Sequence, residues 1–169
     1  MIEIKPVYQL NYDVLNTTSG IILINADKSP PHLGFFSNSK YYSLTVKDNQ
    51  IGISIEVILQ YIHRKRIPSI FISLKNKIEN TEIEKAFQNY LKLDEQITCL
   101  QPIKEVFRNK ITDLDRVNFI FELIPLLKEQ GWVKSYYQLY AKEIIQDSSF
   151  SLRTYTMEDI FKRIKSLSK

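Results

Sequence analysis

Apolar positions in the first half of the chain fall into short runs. In the second half they recur at intervals of three and four residues. The run GIILINA, Gly20 to Ala26, is bounded by turn residues and predicts a buried strand. Residues 30–46, PPHLGFFSNSKYYSLTV, read as a hairpin with HLGFF as one arm, SNS as the turn and KYYSLTV as the return arm. Ile55, Ile58, Leu59 and Ile62 share a helical face behind Ser54, a candidate N-cap, and Pro68 suits the end of that unit. SIFISL, residues 69–74, is a further β-rich run.

Downstream, Thr81 and Glu84 stand in capping-box register before a helix that buries Ile83, Ala86, Phe87, Tyr90 and Leu91. Val117, Ile120, Phe121 and Ile124 form the next stripe, which stops at Gly131 and contains Pro125, expected to kink or divide it. VKSYYQLYAKEII, residues 133–145, is read as helical. Thr156 caps a last helix whose inner face is Ile160, Ile164 and Leu167. Strands first and helices later predict an α+β fold, a small antiparallel β-sheet with helices packed against it.

The 169 residues suit a single domain, 1–169, with 44% hydrophobic and 25% charged residues and only four glycines to suggest linkers. A net charge of +4 is mild, and its densest run, His63 to Arg66, suits a helix C-terminus better than a nucleic-acid footprint. Nucleic acid is therefore not an expected partner. No apolar run is long enough to span a bilayer, and the N-terminal stretch lacks the pattern of a secretory signal. A cytoplasmic location follows as the expectation, with signal-independent export left open. A lone cysteine removes internal disulfides and cysteine-rich metal sites, and no motif for a metal or a cofactor is present.

What remains is the hairpin's chemistry. With Asn38 and Ser39 as turn residues, Ser37 faces Lys40, and His32, Ser43 and Thr45 fall on one face of the sheet. Tyr42, Leu33 and Phe35 fall on the other. An imidazole beside hydroxyls can have one nitrogen held while the other stays free, as a general base requires. The matching nucleophile is Cys99 in ITCLQPI, near a helix N-terminus that lowers a thiol's pKa. Thr98 and Gln101 have capping-box spacing around it, whereas Pro102 favours a helix beginning one turn later, with Cys99 in the preceding turn. Against this stands a core reading, in which Cys99 shares apolar spacing with Ile103 and Val106.

HLGFFSNSKYYSLT resembles the histidine hairpin of the NlpC-type papain-like hydrolases. His32 precedes Cys99, which is the order of the circularly permuted branch, the permuted amidase-like and lecithin-retinol acyltransferase-like proteins. YTMEDIFKRI, Tyr155 to Ile164, is similar to the closing helix of permuted members. The resemblance implies a permuted papain-like fold with Cys99 as nucleophile, His32 as general base and Ser43 at the third polar position, which the family usually fills with His, Asn, Gln or Glu. It implies a thiol hydrolase or acyltransferase acting on an amide, isopeptide or ester bond of a peptide, an isopeptide-linked protein or a lipid, without a cofactor. The rival expectation is a non-catalytic protein-binding module on the same α+β scaffold.

Overall fold

The computed structural model describes residues 1–169. In chain order its elements are β1 (Ile2–Ile4), β2 (Val7–Gln9), α1 (Asp13–Thr17), β3 (Ser19–Ile24), β4 (His32–Ser37), β5 (Lys40–Leu44), β6 (Asn49–Ser54), α2 (Ile55–Lys65) and β7 (Ser69–Leu74). The chain continues with α3 (Asn80–Gln88), α4 (Leu100–Val106), α5 (Ile120–Glu129), β8 (Val133–Leu139), β9 (Ile145–Gln146), β10 (Ser149–Leu152) and α6 (Met157–Leu167). Seven strands form a mixed sheet in the order β2-β8-β7-β3-β4-β5-β6. Only the β2–β8 pair is parallel. A separate antiparallel sheet has the order β1-β10-β9. The fold is α+β.

Alternation along the strands divides the core into two layers. Ile21, Leu23, Phe35, Ile70 and Ile72 join α3, α4 and α5 through Ile83, Phe87, Ile103 and Leu123. Ile22, Ile24, Phe36 and Phe71 point the opposite way and meet Ile58 and Ile62 of α2. The central strands β3 and β7 are thus covered on both faces, which is why GIILINA and SIFISL read as unbroken apolar runs. In α2, Ser54 caps the first turn by accepting from the Glu56 N–H, and Arg66 ends the helix in left-handed geometry. Burying Ile58 and Ile62 stabilises the attachment of this helix by about 1.5–3 kcal/mol each.

The hairpin pairs Phe35 with Tyr42, Phe36 with Tyr41 and Ser37 with Lys40, as the turn at Asn38-Ser39 predicts. Both turn residues have positive φ (50° and 64°), the requirement of the two-residue turn that matches strand twist. Gly34 lies beneath the Tyr41 ring, whose Cε2 would stand 2.4 Å from an added Cβ.

Several expectations change. Residues 133–139 form a strand, β8, between β7 and β2, not a helix. Pairing on both edges outweighs a local pattern that fits either period. The helix predicted from Thr81 starts at Asn80 and buries Ile83, Ala86 and Phe87, but it ends at Gln88 and leaves Leu91 85% exposed. Pro125 is the sixth residue of α5, and the helix runs on across it to Glu129 without being divided. No helix is long and apolar enough to cross a membrane.

Candidate functional site

His32 opens β4, paired with Ile24 of β3 but lying beyond the last β4–β5 pair, Phe35 with Tyr42. Alternation puts Ser43 on the same face, and the His32 Nε2 to Ser43 Oγ distance is 2.5 Å. The Ser43 hydroxyl, wholly buried, also points at the Leu33 carbonyl oxygen at 3.4 Å. Ser43 carries one proton. When that proton goes to Leu33, Nε2–H must donate to Oγ, and the lone pair then sits on Nδ1. Thr45, expected on the same face, lines the same cavity as His32, with its hydroxyl bonded to Asp48 Oδ1 at 2.7 Å in the following turn.

Cys99 is the residue just before the seven-residue helix α4, in helical geometry itself (φ −65°, ψ −15°) and without a side-chain cap. The structure lies between the two placements considered from the local sequence. Pro102 becomes the third helical residue, where its missing N–H would have had no intrahelical partner. Cys99 is partly buried against the main core and against the small cluster of Leu44, Leu93 and Ile164.

His32 and Cys99 line one cavity of about 630 Å³, together with Tyr41, Thr98, Tyr155 and Arg163. No hydrogen bond joins the Cys99 sulfur to either imidazole nitrogen. Burial pushes the thiol up to about 11, opposed by the backbone N–H groups of Leu33 and Cys99 itself. Burial lowers His32 to about 4, and the Arg163 guanidinium acts in the same direction. The Tyr41 phenol is raised by burial, with the Ser43 hydroxyl working against the shift. The Tyr155 phenol is raised by burial and then by Cys99. At neutral pH the four groups are therefore uncharged.

This protonation state corrects the local expectation of a partly ionised thiol. A short helix beside Cys99 contributes less than desolvation removes, so burial sets the sign. Transferring the thiol proton to His32 across a gap of about seven pH units would cost about 10 kcal/mol before attraction is counted. Even a contact pair at about 4 Å recovers only about 4 kcal/mol at an effective dielectric near 20. The neutral pair wins.

No protein-family model, curated protein or solved structure matches this chain.

Other predicted features lie elsewhere. His63, in the basic run expected at a helix C-terminus, sits in the last turn of α2, where Nε2 meets the Tyr12 hydroxyl at 3.0 Å and Nδ1 meets Tyr140 at 2.7 Å. No three His, Cys, Asp or Glu side chains converge as metal ligands. The sequence reading missed Tyr41, Tyr155 and Arg163 as cavity residues. Tyr41 was accessible, since residues 41 and 43 share a strand face. Tyr155 and Arg163 carried no such signal, because tertiary packing alone brings them over β4. Tyr155 is seated edge-on against Phe119 and Phe121, with centroids 5.6 and 5.1 Å away.

Proposed function

We propose that this protein is a cysteine acyl hydrolase or acyltransferase, related to the permuted papain-like enzymes, that cleaves an amide, isopeptide or ester bond. The supporting observation is the Ser43-tethered imidazole of His32 in the same cavity as the only cysteine; in the tautomer that carries Nε2–H, Nδ1 is the free base. Because the resting pair is neutral, the proton moves only as the bond to sulfur forms. The Cys99 sulfur attacks the carbonyl carbon, its proton passes to His32 Nδ1, and the carbonyl electron pair goes to oxygen. The Leu33 and Cys99 N–H groups offset developing negative charge at the sulfur. Collapse breaks the bond to the leaving nitrogen or oxygen, which takes the proton from His32. Water or another nucleophile then attacks the thioester and gives its proton to His32, which returns it to the departing sulfur.

The raised thiol favours the rival reading, a binding module on this scaffold, and one experiment separates the two. The native protein, Cys99→Ser and His32→Gln are assayed on a panel of peptide, isopeptide and acyl-ester substrates, with intact mass recorded after brief exposure to an activated acyl ester. A catalytic pair gives an acyl adduct on Cys99 and a loss of about 10²–10⁴ in turnover for His32→Gln. Turnover that survives Cys99→Ser, or an adduct indifferent to His32→Gln, would remove the enzyme reading.

A further inference from the structure

The cavity described above opens between α2 and α6, and its mouth has a composition that thiol chemistry does not require. Three of the molecule's exposed large apolar residues line it: Val57 at 55% exposure, Tyr61 at 40% and Leu167 at 46%. Three exposed cations line it too, Lys47, Arg64 and Arg163, and none forms an ion pair with a carboxylate. The same lining contains no aspartate or glutamate at all. In a chain with 19 acidic residues, this absence leaves a cationic surface with apolar side chains set inside it.

The spacing makes the arrangement directional. Val57, Tyr61 and Arg64 are four and three residues apart, so they form one stripe of α2, with the Lys65 ammonium 5.4 Å from the centre of the Tyr61 ring. Arg163 and Leu167 are one turn apart on α6 and line the same cavity. Long cationic side chains can keep their charges at a polar headgroup layer while neighbouring apolar residues go deeper.

We propose that the rim between α2 and α6 docks on an anionic lipid bilayer, with Val57, Tyr61 and Leu167 entering the interface and Lys47, Arg64 and Arg163 meeting the anionic headgroups. The choice of a bilayer rests on unpaired positive charge coinciding with solvent-exposed apolar residues, which a purely polar anion would leave in water. Docking of this kind does not depend on Cys99 chemistry, and binding is measured without turnover.

The test is co-sedimentation of the full chain with vesicles of phosphatidylcholine alone and of phosphatidylcholine mixed with phosphatidylglycerol. Binding is expected to the mixed vesicles only and should fall as added salt shortens the Debye length to about 8 Å and below. Arg64→Gln and Arg163→Gln should each weaken partitioning by about fivefold, the share of one cation near such a surface. Val57→Ser combined with Leu167→Ser should weaken it at every salt concentration. These positions are exposed, and an unchanged melting temperature shows that each variant is folded. Equal binding to both vesicle types, no binding to either, or an acidic peptide held more tightly than the mixed vesicles would overturn the proposal.

Discussion

Acidification provides a sharp test of the burial of His32, because a desolvated imidazole resists protonation in the fold and a solvated one does not. A buried neutral imidazole with its pKa near 4 takes up a proton in the fold later than in the unfolded chain, where the ordinary value is 6.5. From pH 6.5 down to about 4 the unfolded state therefore binds more protons, and stability falls as pH falls. At about pH 4.5, two units below the unfolded value, the loss is at most about 2.7 kcal/mol. Partial access of the ring to water brings the expected figure nearer 2 kcal/mol. In a protein of this size that corresponds to about 4–8 °C in melting temperature. Carboxylates also titrate in this window, so the informative quantity is the difference from His32→Gln, whose amide nitrogen can replace Nε2 at Ser43. Urea unfolding at about pH 7.5, 6 and 4.5 should show the native protein losing about 2 kcal/mol more than the variant. A resident thiolate–imidazolium pair holds the same single proton as the neutral pair and would also lose stability on acidification, so it is told apart by the ultraviolet absorbance of a thiolate at neutral pH, which the neutral site lacks. That absorbance, or parallel unfolding curves for the two proteins, would refute the neutral site.

Other perturbations test the neighbouring structure. With its pKa raised from 9.0 to about 11, Cys99 should react with iodoacetamide about a hundredfold more slowly at neutral pH in the native protein than after denaturation. Labelling that persists at mildly acidic pH would contradict this. Gly34→Ala forces the Tyr41 ring to move and should destabilise the protein by about 1–3 kcal/mol in urea unfolding; an unchanged midpoint would mean that the ring shifts freely. Thr156→Ala removes the hydroxyl that accepts from the Asp159 N–H, so α6 should lose about 1 kcal/mol. Amide hydrogen exchange localised to residues 157–167 would report that loss, and uniform protection would count against the cap.

The sequence alone determined the parts whose physics is local. An Asn-Ser pair flanked by alternating residues specifies a two-residue turn, and strand alternation then puts His32 and Ser43 on one face. Ser54 and Thr156 mark helix starts because their hydroxyls accept from nearby backbone N–H groups. Residues 133–139 were not legible in this way, because Val, Tyr and Leu there suit either period and only the β7 and β2 edges decide the matter. Pro102 misled for the opposite reason: a missing N–H matters inside a helix and not in its first turn. The tertiary structure alone decided the site's electrical character. A helix start close in sequence argued for a low thiol pKa, but burial beneath α6 and against the two cores reversed its sign. Desolvation is a sum over everything packed around a group, drawn here from residues far apart in the chain, so no short stretch of sequence encodes it.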